Sequence, residues 1–153
     1  MNNKLTTNAS NAAESPAFLV GAVMPSCLRL PLKTKWFEMT KAGIKTEDYR
    51  EINEYWIRRL TNCTTDLTEA KNELLKGGKH AVKVYPSLIE APNHWFPKKF
   101  DENIMTLGYP KSGDNERILR LEHKGIRIRT GNTEWGAEPN KLYFVIMHGG
   151  FLA

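Results

Sequence analysis

From Phe100 onward the chain is cut by turn residues into short alternating pieces, and that spacing constrains the fold more than any other feature. Phe100 to Leu107, Ile118 to His123, Ile126 to Arg129 and Leu142 to Met147 each mix apolar and other side chains as half-buried strands do. Gly108-Tyr109-Pro110, Ser112-Gly113-Asp114, Gly125 and Gly131-Asn132 separate them. Connections this short join antiparallel neighbours and leave no room for crossover helices. Four such strands in succession predict a small barrel or a strongly curled sheet.

The first half reads differently. Leu28-Arg29-Leu30-Pro31-Leu32-Lys33 alternates like a half-buried strand, with Pro31 placing it at an edge or an end. Thr34 is a candidate N-cap for a short helix that carries Trp36, Phe37, Met39 and Thr40 on one side and ends at Gly43. Residues 45–52 have little helical periodicity and read as a strand or extended arm. Asn53 caps a second helix through Tyr55, Trp56, Ile57 and Leu60. Asp66 with Glu69 forms a capping box for a third, closed by Gly77-Gly78. Pro86, Pro92 and Pro97 make 79–99 a strand plus a long surface loop. Helices early and strands late give an α+β class.

At 153 residues the chain is long enough for one domain. Residues 1–16 are Asn, Ala, Ser and Thr with almost no large apolar side chain, so a disordered tail over 1–27 and a folded domain over 28–153, with an insertion at about 66–99, are expected. Cys27 and Cys63 are too few for a disulfide scaffold and lie in no CxxC, which excludes a zinc ribbon or thioredoxin-like site. The apolar run from Ala17 to Met24 is far short of the ~20 residues that span a bilayer. Only Lys4 precedes it as a base, Glu14 opposes it, and Met24-Pro25-Ser26-Cys27 is a poor lipobox. A cytoplasmic protein with no membrane partner is the expectation.

Charge enters the argument through its placement. The net charge is +5, and residues 28–60 carry eight bases against five acids. Five of those thirteen charges crowd into Lys45 to Glu51, inside Gly43-x-Lys45-x-x-Asp48-x-Arg50. In an extended chain Asp48 and Arg50 share a face, and Lys45 joins them only if the backbone turns at Gly43. The pattern fits either a polar site or a salt-bridged edge strand. His80, His94, His123 and His148 have no metal spacing, so neither metal nor cofactor is expected. The chain has no Walker loop, GxGxxG or GxSxG, which removes the nucleoside triphosphatase, dinucleotide and serine-hydrolase classes.

The stretch from Leu30 to Glu51 resembles the start of an ASCH domain, whose mark after the first helix is G-x-K-x-x-E-x-R. Gly43, Lys45 and Arg50 match it, and Asp48 stands at the Glu position. Leu107-Gly-Tyr-Pro and the stretch from Gly131 to Ile146 resemble the middle and closing strand of phage and bacterial members, so the likeness covers about 28–148. It implies a small PUA-like β-barrel with two to three flanking helices, a cleft lined by the motif, and RNA or a modified nucleoside as partner. Some members of that family are binding modules. Others are amidohydrolases that remove an acyl group from N4 of cytidine, and ribonuclease activity is claimed for others still. The amidohydrolases pair the motif lysine with a Thr where Asp48 stands here, so the lysine carries over to Lys45 and the nucleophile does not.

The first expectation is therefore an RNA or nucleotide site made of Lys33, Gly43, Lys45, Asp48 and Arg50, with Trp135 on its glycine-flanked loop either stacking on a base or plugging the barrel end. The alternative is a small hydrolase with Lys45 and Asp48 as its catalytic groups. A lysine base needs a lowered pKa, and a carboxylate beside it works against that while Arg50 works for it. Ribonuclease chemistry could draw on Glu47 or Glu51, Arg50 and a histidine. A protein-interaction domain is the third class. Trp36, Trp56 and Tyr55 sit at helical spacings and read as core.

Overall fold

Five strands and three helices carry most of residues 24–62, 66–75 and 97–153, the residues described in the structure, a computed structural model. The order is β1 (Cys27–Leu32), α1 (Thr34–Lys41), β2 (Glu47–Glu51), α2 (Glu54–Leu60), α3 (Leu67–Leu75), β3 (Glu102–Leu107), β4 (Ile118–Thr130) and β5 (Leu142–Phe151). The strands form one mixed sheet in the order β1-β3-β4-β5-β2, curled into a half-barrel. β3, β4, β5 and β2 pair antiparallel in succession, and β1 lies parallel to β3. The α+β expectation holds.

The alternation seen in the sequence sorts the side chains onto two faces. Leu28, Leu30, Leu32, Met105, Leu121, Ile128, Phe144 and Ile146 point inward and pack against Phe37 of α1, Ile57 and Leu60 of α2, and Ala70 and Leu74 of α3. Each fully buried Leu, Ile or Phe stabilises the fold by about 1.5–3 kcal/mol. Tyr143, Val145 and Ala137 form a smaller cluster on the other face, with Tyr49 and Met147 against it.

Several local expectations need correction. Ile118–His123 and Ile126–Arg129 are one strand, not two. Gly125, at φ +114, relieves a bulge where the register slips on both sides of His123. A bulge and a turn both ask for a glycine, so the local signal does not separate them. Strand β1 begins at Cys27, the last residue of the segment read as tail, and Cys27 pairs with Glu102. Lys33, not Thr34, is the N-cap of α1, and its side chain makes no capping bond. Asn53 caps α2 by accepting from the Trp56 N–H at 2.9 Å. Asp66 accepts from the Thr68 N–H at 2.9 Å as α3 begins. Most of the expected tail, the Gly77-Gly78 stop and the strand and loop over 79–96 lie outside the described residues.

Pro31 sits on the edge strand β1, where its missing N–H costs no ladder bond. The other edge is β2. Arg50 reaches from β2 and donates from Nη2 to the Pro31 carbonyl at 3.1 Å. Arg59 of α2 donates to the Arg29 carbonyl. Two guanidinium groups thus cap outward carbonyls of β1, and one of them spans the gap between the sheet edges.

Candidate nucleotide cleft at the sheet edges

The site begins with a turn. Gly43 leaves α1 at φ +76, and the N–H groups of Ile44 and Lys45 both donate to the Met39 carbonyl, at 3.0 and 3.1 Å. A side chain at Gly43 would meet nothing within 4 Å, so the glycine is required for its backbone angle and not for space. This turn folds Lys45 back over the first residues of β2.

Lys45, Asp48 and Arg50 do come together. The Lys45 ammonium donates to the Glu47 carbonyl and, at 3.2 Å, to Asp48 Oδ1. Arg50 Nε donates to Asp48 Oδ2 at 2.6 Å. Side-chain exposure is 2 % for Lys45, 7 % for Asp48 and 18 % for Arg50. One carboxylate is thus shared by two cations and leaves the group one positive charge in excess. Burial pulls the Lys45 pKa below its ordinary 10.5, and that outweighs the opposing Asp48 carboxylate, with Arg50 pushing the same way as burial. Sequence spacing shows the Asp48 carboxylate beside Lys45 but not the depth of Lys45, which decides the direction of the shift.

Asp48 and Arg50 also face a cleft of about 210 Å³ between the two sheet edges and α1. Lys33, Trp36, Tyr49 and Pro31 line it with them, and Lys45 is not among the lining residues. Tyr55, a core residue by its helical spacing, is exposed, and Trp36, a core residue by the same spacing, packs against the main core cluster. Trp36 is only half-buried, with the Lys35 ammonium 4.7 Å from its ring centroid. The signal that could have found it is Lys33-Thr-Lys35-Trp36, an aromatic within the basic start of α1.

The loop before β5 builds one side of this region. Tyr49 accepts from the Asn132 N–H at 2.9 Å and donates to Glu47 Oε2 at 2.8 Å. A Cβ at Gly131 would sit 2.7 Å from the Tyr49 ring, and one at Gly136 would sit 2.8 Å from the Trp36 ring. The loop therefore lies directly on both aromatic rings. Trp135 occupies a one-turn 3-10 helix, half-buried, and is not among the residues lining the cleft. Burial pushes the Tyr49 phenol above its ordinary range.

A second polar group, unmarked by any motif, lies at the His148 end of the sheet interior. Asn103 Nδ2 lies 2.6 Å from His148 Nδ1, and Asn103 Oδ1 lies 2.7 Å from His123 Nδ1. This pattern makes Nδ1 of His148 an acceptor and leaves its proton on Nε2, a buried atom with no hydrogen-bond partner in the structure. Burial lowers the His148 pKa to about 4, with Asp48 opposing and Lys45 reinforcing the shift. His148 is therefore neutral at pH 7.

Glu47 and Glu51 point to the other face of β2 from Asp48. Glu47 pairs with Arg129, and Glu51 with Lys141 at 2.7 Å, so these acids are engaged away from Arg50. No three His, Cys, Asp or Glu side chains gather as a metal site would need among the described residues, and His80 and His94 lie outside them. Likewise, no helix among the described residues is long and apolar enough to cross a membrane.

No protein-family model, no curated protein and no solved structure matches this chain.

Proposed function

We propose that the chain is a binding module for RNA or a modified nucleoside, of the ASCH kind, and that its half-barrel is of the PUA-like type. The observation that carries this reading is the convergence of Lys33, Trp36, Asp48 and Arg50 on one cleft, with Lys45 beneath it. At about 210 Å³ the cleft is smaller than the ~300–1,000 Å³ of drug-sized sites and suits a base with part of its sugar. Trp36 gives the cleft an aromatic wall against which a base would pack. Asp48 accepts from an exocyclic amino group, Lys33 meets a phosphate, and the shared carboxylate holds Arg50 in place. Single-stranded RNA is expected to bind more weakly as salt rises from about 50 to 200 mM, because phosphate contacts release counterions. Salt-independent binding, or full binding by a variant lacking Lys45, Asp48 and Arg50 together, would overturn the reading.

One observation favours a second reading, that of a small hydrolase acting on an N4-acylated cytidine or on RNA. The buried Lys45 gives up its proton more readily than a surface lysine. As a neutral amine it would take the proton of an attacking water, the task of a general base. Incubation with N4-acetylcytidine and with labelled RNA, beside Lys45→Ala, decides it. Product that depends on Lys45 supports the hydrolase, and no product, or equal product from the variant, removes it.

A further inference from the structure

The row of side chains that starts at the cleft does not end there. The Arg50 guanidinium lies 4.9 Å from the Trp56 ring centroid, and the Arg59 guanidinium lies 5.3 Å from the same centroid. Trp56 meets Tyr55 edge-on at 5.0 Å. Arg59 Nη1 donates to the Tyr55 hydroxyl at 3.1 Å. An arginine–aromatic row therefore runs from the cleft across α2 to Tyr55, a large side chain that is 61 % exposed. The hydrogen bond and the edge contact hold the Tyr55 ring, so an exposed aromatic here is fixed as well as accessible.

The charges along this row are left uncompensated. Arg29, Lys33, Lys35, Arg58 and Arg59 form no ion pair among the described residues. Around β4 and β5 most cations are paired: Arg120, Lys124, Arg129 and Lys141 each face a carboxylate, and Arg127 forms no ion pair among the described residues. Glu54, the one acid of α2, accepts from the Thr68 hydroxyl at 2.8 Å. Capping of the β1 carbonyls explains where the Arg50 and Arg59 guanidiniums sit. It does not explain an exposed, held tyrosine at the end of the row or the unpaired Arg58 beside it. Planar cations, a stacking face and unneutralised charge in one line are what a flexible polyanion with unpaired bases needs.

We infer that the ligand of the cleft is one unit of a single-stranded polynucleotide, and that the next unit lies over α2 with its base on Tyr55 and its phosphates at Arg58 and Arg59. This rests on the nucleotide reading of the cleft and selects a strand over a free nucleoside. Trp56 is then the floor that orders the two arginines. A base held in a duplex has no free face for Tyr55, so double-stranded RNA binds this row poorly.

The test compares a labelled single-stranded RNA octamer, the same octamer annealed to its complement, and the nucleoside 5′-monophosphates, by anisotropy and competition. Wild type is set beside Tyr55→Ala and Arg58→Gln, whose side chains hold no backbone group, and melting curves verify that each variant is folded. The octamer should bind at least about tenfold tighter than any monophosphate, and Tyr55→Ala should weaken the octamer about tenfold while changing monophosphate binding less than about twofold. Arg58→Gln should flatten the logarithmic salt slope for the octamer by about 0.7. Equal affinity for octamer and monophosphate, equal affinity for single strand and duplex, or variants that weaken both ligands alike would overturn the inference and leave the cleft reading standing. Binding of none of these ligands overturns the cleft reading and this inference with it.

Discussion

Asp48→Asn removes the one carboxylate that two cations share while keeping its size and shape. The Lys45 side chain is 2 % exposed and would remain as a charged group with the Glu47 carbonyl and the Tyr49 ring, 5.4 Å away, but no counter-charge beside it. Deleting one partner of a buried ion pair costs about 3–5 kcal/mol. Arg50 is 18 % exposed and can turn toward water, so the lower end applies, about 3 kcal/mol. In a domain of this size that lowers the melting temperature by about 10 °C. The sign of the pH dependence follows from Lys45. Its pKa in the folded state lies below the ordinary 10.5, so between those two values the unfolded chain binds the extra proton and stability rises with pH. Without Asp48 the depression deepens and that window widens downward. Urea melts from pH 7 to about 9.5, below the ordinary range of tyrosine, should therefore show Asp48→Asn regaining stability faster than wild type. The double variant Lys45→Met/Asp48→Asn should recover about 2 kcal/mol of the loss at pH 7, because no buried charge is then stranded. The reasoning fails if Asp48→Asn lies within about 0.5 kcal/mol of wild type at pH 7, or if the double variant is no more stable than the single one.

Three further outcomes can be measured on the same footing. His148 titrates near 4 in the fold against 6.5 outside it, so stability should decline by up to about 3 kcal/mol as pH falls through that window, and His148→Leu should flatten that part of the curve. Gly136→Ala combines φ +100 with a Cβ 2.8 Å from the Trp36 ring, so a loss of about 1–3 kcal/mol and a changed Trp fluorescence are expected, an unchanged melt counting against the loop contact. Arg50→Lys keeps a cation beside Asp48 but loses both the Pro31 cap and the plane over Trp56, so it should melt lower than wild type by about 1–2 kcal/mol, and equal stability would show that the gap between the sheet edges closes without the guanidinium.

Arg50 has three roles in one position. Its Nε serves Asp48, its Nη2 serves the edge strand, and its plane serves Trp56. β2 is a salt-bridged edge strand, and two of its charged side chains, Asp48 and Arg50, also line a cleft.

What could be read locally was read well where one face of an element had to be apolar. The strands β3 and β5, the Asn53 cap and the edge position of Pro31 follow from period-two alternation and from backbone donors that need a partner. Gly125 misled because its positive φ serves a bulge as well as a turn. Tyr55 misled because helical spacing tells which side of a helix a residue is on, and not whether that side is covered, whereas Trp36 packs on the core and lines the cleft as well. The Asn103–His148 pair left no trace, since its members stand 45 residues apart and are polar residues at inward positions of otherwise apolar strands.

Alternation, turn residues and the Gly43 signal determine by themselves that this chain makes a curled sheet with helices beside it and that Lys45 can turn back toward Asp48, because each depends on neighbours a few residues away. Tertiary structure alone decides that Lys45 is buried, that its proton is therefore loosened despite the carboxylate, and that Arg50 meets Pro31 across 19 residues of sequence. Burial and long-range hydrogen bonds depend on what other parts of the chain bring to the same place.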